Sequence, residues 1–231
     1  MFKSFDPKAL VTHPAAAVAI LIAVHFIFGY RFYLAGDTLP LHDTGAVFQV
    51  FKTAYSNYLL TGDLSEWLPQ GVYGYQTHLE TVFRISPLSY PVMALGKLFG
   101  ALDTLALFRT VVLLEIAVFA FGFLRLADEV FENRAVAVFA LASFLMTTVV
   151  INQIYFSFRI VYLLPFVTFY LLGFFKTGRV FPLVMAGIFT FISVFGTPIY
   201  FSIYYAIYFI TFFFLFFMFT GSNFASSSTG P

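Results

Sequence analysis

A histidine and an aspartate, His42 and Asp43, follow directly after the first long apolar run of the sequence. Imidazole and carboxylate groups transfer protons and bind cations, so this pair is a candidate for chemistry. Asp43 also precedes Thr44 and a helical pattern, which makes helix N-capping the alternative interpretation. His42 is either a ligand or a solvated neighbour of that carboxylate.

Three more polar residues, Asp37, His78 and Glu80, lie in the same polar segment, residues 36–103. His78 and Glu80 lie two positions apart, a spacing that turns both side chains to one side only where the backbone is extended. Asp37 could simply end the first helix at the water interface.

Glu115 lies inside the apolar stretch VVLLEIAVF. An ionisable side chain at the centre of a membrane helix costs about 2.5 kcal/mol or more on insertion scales. Glu115 is therefore expected to face the bundle interior, a partner or water, with either a structural hydrogen bond or a functional role.

The composition determines the environment of these residues. The chain has 231 residues, of which 61% are hydrophobic and 10% are charged, and its mean hydropathy is +0.91. Soluble domains carry about 25% charged residues, so this composition predicts an integral membrane protein. The net charge of +1 argues against a nucleic-acid partner. The absence of cysteine excludes disulfides, zinc–thiolate sites and thiol nucleophiles.

The apolar runs predict an all-α, polytopic transmembrane bundle of about six spans. A bilayer core of about 30 Å takes roughly 20 apolar residues in a helix. The predicted spans cover residues 14–35, 104–126, 135–151, 158–175, 181–196 and 199–219. Residues 1–219 are thus one predicted membrane module, and residues 220–231 are a flexible polar tail or a cloning remnant.

The basic residues predict the orientation of the bundle. Lysines and arginines are enriched on the cytoplasmic side of membrane proteins. If residues 36–103 form a single outer loop, six basic residues lie together on the other side of the membrane: Lys3, Lys8, Arg125, Arg134, Lys176 and Arg179. The chain is therefore expected to be a multi-pass protein with both termini in the cytoplasm, and a bacterial inner membrane fits best.

The outer loop is expected to contain two juxtamembrane helices. Apolar residues recur at helical spacing over 44–60, which predicts an amphipathic helix half sunk in the membrane surface, with Gly62 as its C-terminal cap. Residues 87–99 are too short for a span and contain Lys97, so they are predicted to lie in the interface.

The order of these features resembles a known family. The leading span is followed by His42-Asp43, an amphipathic helix through Leu60, Gly62-Asp63-Leu64-Ser65-Glu66-Trp67-Leu68-Pro69, Tyr73-Gly74, Ser86-Pro87-Leu88, Leu98-Phe99-Gly100 and Arg109. This arrangement is similar to the N-terminal module of the GT-C glycosyltransferases, including the YfhO-like bacterial membrane proteins. Members transfer a sugar from a polyprenyl-phosphate donor to an acceptor on the outer side of the membrane.

The resemblance implies a set of site residues. It makes Asp43 the general base or a metal ligand, with Asp37 as a weaker second ligand of a divalent cation, Mg²⁺ or Mn²⁺. Arg109 and Arg159 would balance the leaving lipid phosphate. The residues expected to contact substrate are His42, His78, Glu80, Arg84, Arg109 and Arg159. Where many members have a second acid, this chain has Asn152-Gln153-Ile154-Tyr155, so a two-carboxylate site would need Asp37, His78 or Glu80.

Two other classes of function fit the same composition. A small-solute or lipid transporter could use Glu115 inside the membrane. A non-catalytic subunit could dock other membrane proteins through its aromatic-rich helices. The clustering of polar residues outside the spans favours chemistry at the membrane face over passage through it. Membrane lipids are expected partners in all three cases.

Overall fold

The structure, a computed structural model, describes residues 14–28, 42–62, 67–68, 75–76, 85–131, 133–146, 162–194, 203 and 205–214. These residues are mainly helical. The helices are α1 (Pro14–Phe28), α2 (His42–Thr61), α3 (Ser89–Leu98), α4 (Thr104–Val130), α5 (Arg134–Leu145), α6 (Leu164–Thr177), α7 (Val180–Val194) and α8 (Tyr205–Phe214). Two-residue strands, β1 (Trp67–Leu68) and β2 (Tyr75–Gln76), pair antiparallel within the predicted outer loop.

One helix in the described part of the chain, α4, is long and apolar enough to cross a membrane. Its 27 residues extend about 40 Å, against a hydrocarbon core of about 30 Å. The apolar helices α1, α5, α6, α7 and α8 are shorter. They coincide with the other predicted spans, and parts of those spans, such as residues 29–35 and 147–161, lie outside the described residues. The helical fold class is thus confirmed, and the count of about six spans stays a prediction.

Polar side chains cap the N-terminal ends of α4 and α5. The Asp103 carboxylate accepts hydrogen bonds of 3.0 Å from the backbone N–H groups of Leu105 and Ala106, which caps α4. The helix continues past the predicted end at residue 126 to Val130, because a helix that leaves an apolar layer can continue in water. The Asn133 side chain caps α5 in the same way, accepting from Ala135 at 2.9 Å.

Aromatic stacking joins the hairpin of α6 and α7. The ring of Phe189 stacks with those of Phe166 and Tyr170, with centroid distances of 4.9 and 5.6 Å. The turn between the helices is at Gly178, whose φ of +64° is favoured by glycine. Phe166 also contacts Phe121 of α4 at 6.1 Å, so the hairpin packs against the long helix.

Ion pairs gather at the end of the bundle where α4 and α6 end and α5 begins. The Lys176 ammonium lies 2.8 Å from the Glu129 carboxylate, and Arg134 pairs with Asp128. These contacts place the predicted basic turns together at one end. Which side of a membrane this end faces stays a prediction.

The opposite end of α4 carries α2 and α3. The bounds of α2 agree with the predicted helix over 44–60, and Gly62 follows it with the expected positive φ of +83°. The predicted helix over 87–99 is also present as α3. One expectation needs correction, however, because the apolar face of α2 is buried within the protein instead of being half sunk in lipid. Its buried residues are Val47, Phe48, Val50, Phe51, Ala54 and Tyr55.

Residues 198–231 form a second compact unit, separate from residues 1–197. Within it, α8 is rich in aromatic residues, and the rings of Tyr208 and Phe212 stack one turn apart at 6.0 Å. The predicted tail, residues 220–231, lies outside the described residues.

Candidate functional site

The backbone of His42 and Asp43 forms the first turn of α2. The helix therefore begins before Thr44, and Asp43 lies inside the first turn instead of at the predicted cap position. A carboxylate in the first turn is stabilised by the unpaired N–H groups and the helix dipole there. The side chains of both residues lie outside the described part of the structure.

Several predicted site residues are beyond what the structure describes: Asp37, His78, Glu80, Arg84 and Arg159. Among the described residues, no group of three or more His, Cys, Asp or Glu side chains could hold a metal ion. The divalent-cation site attributed to Asp43 and Asp37 thus stays a prediction.

Aromatic contacts hold α2 against the beginning of α4. The rings of Phe48 and Phe51 lie 5.3 and 5.6 Å from the ring of Phe108, and all three are buried. Further along α2, the Tyr55 hydroxyl donates a 2.7 Å hydrogen bond to the carbonyl oxygen of Ala101, just before α4 begins. The order of these contacts is antiparallel: Phe48 and Phe51 contact Phe108 within α4, and Tyr55, nearer the end of α2, contacts the residue before α4.

A lysine fixes the other end of α2. The Lys97 ammonium donates a 2.7 Å hydrogen bond to the Tyr58 carbonyl oxygen and lies 4.2 Å from the centre of the Tyr58 ring. The same carbonyl accepts from the N–H of Gly62 at 3.1 Å. A cation at the carbonyl end of a helix satisfies free acceptors and the helix dipole. The role of Lys97 was missed in the sequence because its partner lies 39 residues earlier.

Gly96 allows α3 to approach its neighbours closely. A β-carbon at this position would lie 2.8 Å from both the Tyr55 hydroxyl oxygen and the Leu107 Cδ1 atom. Any larger residue would therefore separate α3 from α2 and α4. Together, Tyr55, Gly96 and Lys97 form a junction that sets the position of α2.

Glu115 is buried in α4, as predicted for an ionisable residue inside an apolar helix. Only 1% of its surface is exposed. It lies seven residues after Phe108 and four before Phe119, and these spacings place all three on one face of the helix. Phe108 contacts α2, whereas Phe119 stacks with Phe144 of α5 at 5.1 Å. Glu115 thus lies between the contacts that α4 makes with α2 and with α5.

A buried histidine lies in the same layer of the bundle. His25 has no exposed surface, and its Nδ1 atom lies 3.3 Å from the Leu145 carbonyl oxygen at the end of α5. A carbonyl only accepts, so Nδ1 is the protonated nitrogen in this contact. Because Leu145 follows Phe144, whose ring stacks on that of Phe119, His25 lies near the level of Phe119, about one helical turn beyond Glu115. Sequence reasoning missed His25, although a histidine inside the apolar run AVHFIF is a usable signal.

Arg109 is half-buried in the first part of α4, next to Phe108 in sequence. The structure therefore places this predicted phosphate-binding residue at the end of α4 that carries α2. The described residues place Arg109 on the part of α4 against which α2 packs, while Glu115 and His25 are buried further along the bundle. Compared with protein-family models, curated proteins and solved structures, the chain finds no match in any of the three.

Proposed function

We propose that this chain is the N-terminal module of a GT-C-type membrane glycosyltransferase, with about six spans and both termini in the cytoplasm. It would transfer a sugar from a polyprenyl-phosphate donor to an acceptor at the outer face of a bacterial inner membrane. The observation that carries the proposal is the position of α2. Its first turn contains Asp43, and its buried aromatic face packs on Phe108, beside Arg109.

The proposed chemistry uses these two residues. The Asp43 carboxylate removes the proton of the acceptor hydroxyl while the hydroxyl oxygen forms a bond to the anomeric carbon of the donor. The bond between that carbon and the lipid phosphate breaks, and the phosphate leaves with the electron pair. Arg109 stabilises the negative charge that grows on the phosphate. A positioned general base contributes about 10²- to 10⁴-fold to such a reaction.

The rigid attachment of α2 supports this role. A general base must stay within hydrogen-bonding reach of the proton that it removes. The hydrogen bonds from Tyr55 to Ala101 and from Lys97 to Tyr58 fix α2 along its C-terminal half. The first turn is thereby held relative to α4, which suits a catalytic group better than a mobile loop does.

The test is sugar transfer by the purified chain in lipid nanodiscs, supplied with radiolabelled polyprenyl-phosphate sugars. We expect Asp43→Asn to lower the transfer rate by about 10²-fold or more without changing the amount of folded protein. Asp103→Asn is the matched control, because asparagine caps a helix as well as aspartate does. Transfer by Asp43→Asn at the rate of the unmodified chain would contradict the proposal.

A transporter is the second candidate, and the burial of Glu115 inside α4 favours it. Buried carboxylates in membrane helices often bind protons or ions during transport. In proteoliposomes, solute uptake that is driven by a pH gradient and abolished by Glu115→Gln would support transport. Sugar transfer that depends on Asp43 would support the enzyme.

A further inference from the structure

Large apolar side chains are exposed where α2, α3 and α4 meet. Each is three-quarters or more exposed, and together we name them the apolar tip: Leu60, Leu98, Phe99 and Leu102. Leu60 lies in the last turn of α2, whose Tyr58 carbonyl accepts the hydrogen bond from Lys97 at the end of α3. This bond brings the end of α2, with Leu60, close to the end of α3, with Leu98 and Phe99.

The apolar tip is continuous with the helix that is long enough to cross a membrane. Leu102 lies two residues before the start of α4, and Leu98 and Phe99 end the helix that precedes it. If α4 crosses a bilayer, its first residues lie at the boundary between acyl chains and headgroups. The apolar tip then lies at the same depth.

The charged residues that the structure describes next to the apolar tip, Lys97 and Asp103, have partners inside the protein. The Lys97 ammonium is bonded to the Tyr58 carbonyl and covered by the Tyr58 ring. The Asp103 carboxylate accepts from two backbone N–H groups of α4. Moving an ionised group from water toward lipid raises its free energy unless the group is hydrogen-bonded. The internal hydrogen bonds of Lys97 and Asp103 therefore reduce the free-energy cost of placing this surface against the membrane.

We infer that the apolar tip inserts into the lipid bilayer just below the headgroups and anchors the junction of α2 and α3 there. Several large apolar side chains exposed close together mark an interaction site. Its continuity with α4 and its internally bonded charges identify lipid as the occupant. The anchor would fix the depth of α2, and it does not depend on sugar transfer.

The anchor can be tested by tryptophan fluorescence because Trp67 is the only tryptophan in the chain. In a Trp67→Phe background, Phe99→Trp is reconstituted in vesicles whose phosphatidylcholine is brominated on the acyl chains near the headgroup. We expect the bromines to lower its fluorescence and aqueous iodide to have little effect. Arg179→Trp, in the exposed turn between α6 and α7, is the control and should show the opposite pattern.

Leu102→Trp repeats the measurement in case the substitution at Phe99 prevents folding. Fluorescence at position 99 or 102 that iodide quenches as strongly as at position 179, with no effect of brominated lipid, would overturn the inference. That result would indicate that the apolar tip contacts a protein partner instead of lipid. The experiment contains no sugar donor, so its outcome is independent of the proposed glycosyltransferase activity.

Discussion

Lys97 caps the C-terminal end of α2 through Tyr58, with its ammonium 2.7 Å from the carbonyl oxygen and 4.2 Å from the ring centre. The contact explains why an otherwise apolar helix contains a lysine. It also joins two helices of the predicted outer loop. The junction lies at the other end of α2 from Asp43.

Removing this ammonium should destabilise the junction. We expect Lys97→Met to lower the free energy of unfolding by about 1 kcal/mol, since one charged hydrogen bond and one cation–π contact are lost at a partly exposed position. Thermal unfolding of the detergent-solubilised chain measures the effect. Lys52→Met is the control, because Lys52 is exposed on α2. An equal change in both variants would show that Lys97 does not hold the helices together.

Close packing at Gly96 gives a second prediction. The β-carbon of Gly96→Ala would meet Leu107, which can rotate, and the Tyr55 hydroxyl, which is held by Ala101. We expect a loss of about 1–3 kcal/mol of stability from overpacking. Gly187→Ala is the control, because a β-carbon there would meet no atom within 4 Å. Alanine is the better helix former, so Gly187→Ala should be neutral or stabilising. A Gly96→Ala variant as stable as Gly187→Ala would contradict this account.

The Tyr55 hydroxyl should make stability depend on pH in the alkaline range. Burial raises the pKa of Tyr55 above its usual value of 10.0, so the unfolded chain releases this proton at lower pH than the folded one. The contribution of the protonated Tyr55 hydroxyl to the free energy of unfolding is fully present below pH 10.0. It is lost as the pH rises through the higher pKa of the folded state. Burial also raises the pKa of Tyr90, which adds to the same slope.

Tyr55→Phe separates the two tyrosines. We expect it to lower stability at neutral pH by about 1 kcal/mol, because the Ala101 carbonyl loses its donor. Above pH 10.0 the difference from the unmodified chain should shrink. The measurement is the midpoint of thermal unfolding at a series of pH values. A difference that stays constant above that pH would mean that Tyr55 does not retain its proton on folding.

Glu115 allows a test of structural against functional roles. We expect Glu115→Leu to accumulate in membranes at the level of the unmodified chain, because an apolar side chain suits the buried layer between α2 and α5. Quantitative blotting of membrane fractions measures this, with Glu115→Gln as the variant that keeps hydrogen-bonding ability. Loss of the leucine variant but not of the glutamine variant would show that the carboxyl makes a structural hydrogen bond.

Local patterns in the sequence were sufficient to predict the helices near the candidate site. Apolar spacing and Gly62 predicted α2 and its end, and the apolar surroundings of Glu115 predicted its burial. Periodicity could not say what covers an apolar face, which is why α2 was expected in lipid and is instead buried on Phe108. The contacts of Lys97 with Tyr58 and of His25 with Leu145 join residues far apart in sequence. They depend on how the helices pack, which no local pattern contains.

The most direct test concerns the two ends of the bundle, which we propose lie on opposite sides of a membrane. The chain contains no cysteine, so Ser65→Cys in the predicted outer loop and Arg179→Cys at the turn between α6 and α7 each introduce a single thiol. A membrane-impermeant maleimide added to right-side-out vesicles should label the Ser65→Cys variant, and should label the Arg179→Cys variant only after the membrane is opened. Labelling of both variants in sealed vesicles, or of Arg179→Cys alone, would contradict the proposed outward position of the loop that contains α2 and Asp43.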